Sequence, residues 1–324
     1  MGKRRRGRGI EVCVSLSRRD VLWQLSLVAL APRFALGGVS AEPSLSFPRQ
    51  PRDRLAVTSW PFRSYIDSPG NKAFDRGKMG FDLKEFPSVV VQRFGVHNIN
   101  PLAAHFSSTD HAYLVAFREA VERAGSHVVD LGLSAGKFYD PEVSKRQAGV
   151  DYGRQWIDIA VLIGSPSVRQ HVAGAPGEKP DVALAAESLG QVAEYGAKRN
   201  IVVNLENDGP VSEDPFFLTA VIEKVNSPYL RALPDFGNSL LGHDAEFNRR
   251  AVDAMLSHAF NMCHVKDTVK DAKGQVHEVD LKTMFQLAKQ AGYPGYFSME
   301  FDTASGDPFP GTEHLIAETL LYLN

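Results

Sequence analysis

Residues 201–207 read IVVNLEN, and segments of the same kind return three more times: RALPDFGN at 231–238, NMCHVKD at 261–267 and YFSMEFD at 296–302. Each is a strand-like run with an acidic or imidazole side chain near its end: Glu206, Asp235, His264 and Glu300. The steps between these residues are 29, 29 and 36 positions. A strand, its crossover helix and the return to a parallel strand need roughly 30 residues or more. Four strands at this spacing are expected to be parallel neighbours, with the four side chains converging at one end of the sheet.

Towards the N-terminus lie four further strand-like segments, Leu55–Trp60, His97–Pro101, His127–Leu133 and Ser167–Val172. Helical patterns alternate with the strands at Asp82–Phe94, His111–Ala124, Tyr152–Ile163, Val182–Arg199, Phe216–Val225, Ala245–Ser257, Leu281–Ala291 and Glu313–Tyr322. The plainest is Val182–Arg199, with Leu184, Leu189, Val192 and Tyr195 near helical spacing. Eight alternations predict an α/β fold, a single (β/α)8 TIM barrel over residues 55–324. The competing fold, an open doubly wound sheet, carries a glycine-rich turn after its first strand. SWPFRSYIDSPG at 59–70 has no such fingerprint.

In a closed parallel barrel the active site lies at the C-terminal ends of the strands. Period-two alternation then adds Asn204 beside Glu206, Lys266 beside His264, and Ser298 and Asp302 beside Glu300. Three carboxylates gathered at one point repel one another unless a divalent cation compensates them. Taken singly, each residue is more often a helix cap or a salt-bridge partner; four in one register are hard to explain that way. The expected ligand set is Glu206, Asp235, His264 and Glu300. Mostly oxygen donors with one imidazole suit one Mn²⁺, with Mg²⁺, Co²⁺ or Zn²⁺ as alternatives. Lys266 is expected to hold an anionic oxygen or donate a proton. Candidate substrate contacts are Arg169, which would bind substrate oxygens or steady Glu206, then His105 near the mouth of the second strand, and Trp60 as an aromatic wall.

The first 41 residues read as an export signal. A basic start and Ser17-Arg18-Arg19-Asp20-Val21-Leu22 precede an apolar run from Trp23 to Ala31, and Val39-Ser40-Ala41 offers small residues for cleavage. The run is too short to cross a bilayer, which takes about 20 residues, so no stable membrane anchor is expected in the mature protein. The paired arginines resemble the twin-arginine (Tat) signal, which implies the Tat export machinery as a partner and a periplasmic destination after cleavage near Ala41. Residues 42–54, with three prolines, read as a linker. Residues 42–324 hold 28 basic and 36 acidic side chains, a net charge of about −8. That balance argues against a nucleic-acid partner, which calls for a basic face. Of the two cysteines, Cys13 falls in the leader, so no internal disulfide is left to the mature chain. Cys263 is read as packing.

The motifs NLEN, PDFGN, HVKD and SMEFD resemble those of the xylose isomerase-like TIM barrels, the broad family of sugar phosphate isomerases and epimerases, over almost all of residues 55–324. The resemblance implies one divalent metal, often Mn²⁺, on the four residues named. It also implies that Glu206 and Glu300 act as acid/base groups, moving a proton beside a carbonyl through an enediolate. Three positions depart from it. Asp208 stands where many members have His, Asn238 where ketose 3-epimerases have His, and Ser212 where they have a second glutamate. The metal frame is kept and the substrate shell is not. The expected function is a metal-dependent sugar isomerase or epimerase acting on a small-molecule sugar or derivative. A lyase working by β-elimination on a keto-sugar or keto-glycoside is the alternative, and a non-catalytic sugar-binding barrel is the alternative of another class. A nuclease of the endonuclease IV type is disfavoured by its missing extra histidines and basic groove.

Overall fold

The computed structural model describes residues 41–209, 211–302 and 306–323. The expected twin-arginine signal, with its apolar run and Cys13, lies outside the described residues. Eight parallel strand positions close into a barrel. They are β1 (Leu55–Thr58), β2 (Asn98–Asn100), β3 with β4 (His127–Val128 and Leu131–Gly136), β5 (Ser167–Val172), β6 (Val202–Glu206), β7 (Leu230–Leu233), β8 (Met262–Val265) and β11 (Tyr296–Met299). Hydrogen bonding runs β3-β2-β1-β11-β8 on one side and β4-β5-β6-β7 on the other. Two seams join the halves. The chain passes directly from β3 into β4, with Leu102 bridged to Gly132. The β7 and β8 edges meet at the bridges Ala232–Ala259 and Asp235–His264.

Among the described residues eight α-helices alternate with these strands: α1 (Phe86–Phe94), α2 (His111–Arg123), α3 (Val143–Ile163), α4 (Val182–Ala197), α5 (Pro215–Val225), α6 (Ala245–Leu256), α7 (Leu281–Gln290) and α8 (Pro308–Leu323). Strands covered on both faces have no solvent side, which is why LAVT and MCHV are buried throughout. Cys263 is among these buried residues, and burial pushes its thiol pKa up. Part of the acidic surplus of the sequence is spent at helix starts. Asp181, Asp214, Asp244 and Asp280 accept backbone N–H bonds at the N-termini of α4, α5, α6 and α7.

Two helices begin five or more residues before their patterns predict. Helix α3 starts at Val143, nine residues before Tyr152, through a stretch broken in appearance by Gly149. A Cβ at Gly149 would lie 3.2 Å from the backbone nitrogen of Lys137, so this glycine serves a close approach within a continuous helix. Helix α8 starts at Pro308 and takes Pro310 and Gly311 into its first turn. Proline is compatible with a first turn, where N–H groups have no intrahelical partner, and a Cβ at Gly311 would meet the Phe301 ring at 2.5 Å.

The expected linker is docked on the barrel. Glu42 pairs with Arg231 at 3.0 Å, the Ser44 amide donates to Asn200 Oδ1, and the Phe47 ring sits edge-on to Phe260 and Tyr296. A hairpin was not expected from the sequence: β9 (Thr268–Lys270) and β10 (Val276–Glu278) pair antiparallel directly after β8. Among the described residues no helix is long and apolar enough to cross a membrane.

Candidate metal centre

The barrel holds a small apolar cluster of Ala56, Val129, Leu233 and Met262 and, beside it, a buried polar layer. Asn100 on β2, Asp130 between β3 and β4, Ser167 on β5, Asn204 on β6 and Asn261 before β8 are all buried. They bond to one another: Asn204 Nδ2 and Ser167 Oγ both donate to Asp130 Oδ1, and Asn261 Nδ2 donates to Ser167 Oγ. The four residues of the opening motifs stand at the C-terminal ends of the strands.

The structure brings Glu206, Asp235, His264 and Glu300 together. Each offers one ligand atom, all four atoms lie within 4.8 Å of one another, and all four residues are buried. Bonds of about 2.0–2.3 Å place donor atoms up to about 4.6 Å apart across an ion. His264 Nδ1 lies 2.6 Å from Glu206 Oε1 and 2.5 Å from Glu300 Oε2. Asp235 Oδ1 accepts the amides of Gly237 and Asn238, while Asp235 Oδ2 is buried without a hydrogen-bond donor, 3.2 Å from the Lys266 ammonium. An acceptor-only oxygen left in that position, three carboxylates and a ring nitrogen are a donor set that fits a divalent ion.

Charge balance decides the protonation of these groups. Burial would raise both glutamates. Against it, Arg169 and His264 hold Glu206 well below the usual carboxylate range, and Lys266 and His264 hold Glu300 at about 2. Burial pushes Asp235 up to about 6 despite Lys266. Burial would lower His264, but Glu206 and Glu300 outweigh it and raise it to about 10. The metal-free centre therefore holds an imidazolium between two carboxylates.

A metal must expel that proton to reach Nδ1. At pH 7.5 metal binding is expected to release about one proton, read by titration calorimetry of Mn²⁺ in buffers of different ionisation enthalpy. Because His264 is protonated below about 10, affinity should weaken about tenfold per unit as pH falls, and faster below about 6, where Asp235 also protonates. Affinity independent of pH between 6 and 8 would remove His264 from the ligand set. Stability of the metal-free fold runs the other way. The raised His264 value stabilises it fully below pH 6.5, and this contribution is lost as pH rises through about 10.

A cavity of about 380 Å³ opens over Glu206 and Glu300, which line it, while Asp235 and His264 lie beneath that lining. Lys266 reaches into it, with Nζ 2.5 Å from Asn238 Oδ1 and 3.6 Å from Glu300 Oε1. Arg169 also lines it and donates to Glu206 Oε2, and Trp60 stands at its wall, 43% exposed, under the Arg63 guanidinium. His105 does not line the cavity. It is buried, its Nδ1 is 2.8 Å from Ser59 Oγ, and that hydroxyl also accepts the Leu102 amide. Burial, with Arg63 nearby, pushes the His105 pKa down to about 3. It ties the turn after β2 to the end of β1 as a neutral ring.

Sequence reasoning missed four residues. His171 follows Arg169 by two on β5 and lines the cavity; its Nδ1 pairs with Glu213 Oε1 at 2.8 Å. The same period-two rule that paired Lys266 with His264 applied there. Glu213 comes one residue after Ser212, the position read as lacking a glutamate. Arg63 and Asn100 complete the set: Arg63 lines the cavity, and Asn100 Oδ1 lies 2.9 Å from His264 Nε2.

A profile of the xylose isomerase-like TIM barrel family matches residues 78–323. Three solved structures show the same architecture. D-allulose 3-epimerase from Methylomonas sp. is 14% identical, with TM-score 0.62 over 86% of this chain and 98% of its own. L-ribulose 3-epimerase is 16% identical, with TM-score 0.64 over 83% and 94%. A xylose isomerase-like TIM barrel protein from Mycobacterium smegmatis in complex with magnesium is 19% identical, with TM-score 0.60 over 84% and 98%. Among curated proteins no sequence match is found.

Proposed function

The chain belongs to the xylose isomerase-like TIM barrel family, and from that premise we propose that it is a divalent-metal-dependent isomerase or epimerase of a sugar or sugar derivative. The observation that carries the reading is the pair Glu206 and Glu300, which flank His264 within one cavity and are both held ionised. Two fixed carboxylates on either side of a substrate carbon can remove a proton and return one. Glu206, Asp235, His264 and Glu300 would hold the ion. When bound, it supplies Lewis-acid polarisation of the carbonyl and adjacent hydroxyl and favours the enediolate. Mn²⁺ is favoured by the donor set, and a relative of the same fold was solved with magnesium.

The Lys266 ammonium, buried beside Glu300 and Asp235, would meet the negative oxygen that develops on proton loss. Arg169 anchors Glu206 from the opposite edge, and Trp60 offers an apolar face to a sugar ring. Two of the solved relatives act on ketoses by name, D-allulose and L-ribulose. Asn238 and Ser212 depart from the pattern that the resemblance to ketose 3-epimerases implies, and Asp208 from the His of many family members, so a different sugar derivative is proposed. Export through the Tat pathway would exclude phosphorylated sugars and favour oxidised or keto-sugars. Arg18→Lys with Arg19→Lys should leave the precursor unprocessed in the cytoplasm; mature-sized protein in the periplasm after that change would discard the export reading.

The test of function is metal-reconstituted protein with a panel of keto-sugars in deuterium oxide. Deuterium at the carbon beside the carbonyl, with product mass otherwise conserved, is the expected result. Release of a second fragment assigns β-elimination instead. No exchange with any sugar leaves a binding barrel.

A further inference from the structure

We propose that Asn100, locked in place by Asp130, is the positioning residue that makes His264 present Nδ1 to the metal; this rests on the metal-centre reading above. An imidazole offers two nitrogens, and the hydrogen bond at one decides which serves as ligand. The partner of His264 Nε2 is Asn100 Oδ1, at 2.9 Å. The two ends of an asparagine amide have nearly the same shape, and a flipped amide would present a donor to Nε2 and invite the wrong tautomer.

The flip is forbidden from below. Asn100 Nδ2 donates to the backbone carbonyl of Asp130 at 3.1 Å and to Asp130 Oδ2 at 3.2 Å. A carbonyl can only accept, so the amide nitrogen must face Asp130 whatever the protonation of the Asp130 carboxyl. Asn100 Oδ1 therefore faces His264, and Nε2 must carry a proton. Nδ1 is left for the two glutamates and for an ion. Asp130 is itself fixed by Ser167 and Asn204, and the whole chain is excluded from water. The buried polar layer of the barrel is thus a mould for one imidazole orientation.

The test uses the full chain with ¹⁵N-labelled histidine, loaded with Zn²⁺ as a diamagnetic probe. Two-bond proton–nitrogen spectra of the wild type should show His264 protonated at Nε2 and zinc-bound at Nδ1. Asn100→Leu removes both polar ends at similar volume. It should weaken zinc binding by about 10–100-fold and leave His264 in a mixture of tautomers. Asp130→Asn keeps the backbone carbonyl and should retain the wild-type histidine pattern. Thermal unfolding confirms that each variant folds; if Asn100→Leu does not, the wild-type spectrum decides alone. Zinc on Nε2, or unchanged affinity and tautomer in Asn100→Leu, overturns the inference and leaves the metal centre standing. Failure of the wild type to bind zinc overturns both.

Discussion

Glu300→Gln is expected to lower turnover by at least ~100-fold, the lower end of a general-base contribution, and by up to ~10⁴-fold. Glutamine keeps nearly the same volume and an oxygen that can still ligate, so the fold and the cavity should survive. It removes the negative charge and the lone pair that takes the proton. It also releases His264 from one of the two carboxylates that raise its pKa. Metal loss would mimic the fall, so metal content is to be measured on the same samples. A variant that keeps its metal and still exchanges deuterium at the wild-type rate has its base elsewhere, with Lys266 the next group to replace. Glu206→Gln should act in the same direction.

Arg169→Met should be the costliest change for the metal-free fold. Arg169 and Glu206 are both buried and joined by an ion pair. Removing one member leaves a desolvated charge, at a cost of about 3–5 kcal/mol for a broken buried pair. His264 still touches Glu206, which points to the lower end, about 3 kcal/mol, or a drop of roughly 6–12 °C in Tm for a domain of this size. The sign of the metal effect is diagnostic. A divalent ion would resupply positive charge beside Glu206, so the loss should shrink when Mn²⁺ is present. Equal Tm values for variant and wild type without metal would show that the pair adds nothing.

The barrel was legible because its strands carry both period and punctuation. IVVNLE and RALPD each place apolar residues before a functional one, and a crossover takes about 30 residues, so three intervals of 29, 29 and 36 left few topologies open. Helix starts were less legible. Gly149 and Gly311 look like breakers, and what requires them, the Lys137 backbone and the Phe301 ring, comes against them only in the folded chain. The hairpin had a readable signal, since Asp271 and Gly274 flank its turn, with Gly274 at φ +84° and Asp271 accepting the Lys273 and Gln275 amides. In the site, the four converging residues followed from register alone. His105 did not, because a histidine near a strand end reads the same whether it faces the cavity or bonds to Ser59. Asn100 was invisible for a different reason: its role depends on Asp130, 30 positions away, and on which end of an amide points up.

The β9–β10 hairpin divides the molecule into parts that can change at different tempos. The four converging side chains sit at strand ends locked into the closed sheet, where one altered register would move several of them at once. The hairpin is pinned by the buried Val269 and by the Lys270 amide on the Asp302 carboxylate, yet it delivers Lys270 to the cavity rim from two short strands of its own. Its turn at 271–275 lies outside the closed sheet, so lengthening it is expected to leave the inner cage in place. Substitutions in that turn are therefore expected to change what the rim admits and to spare the floor beneath it.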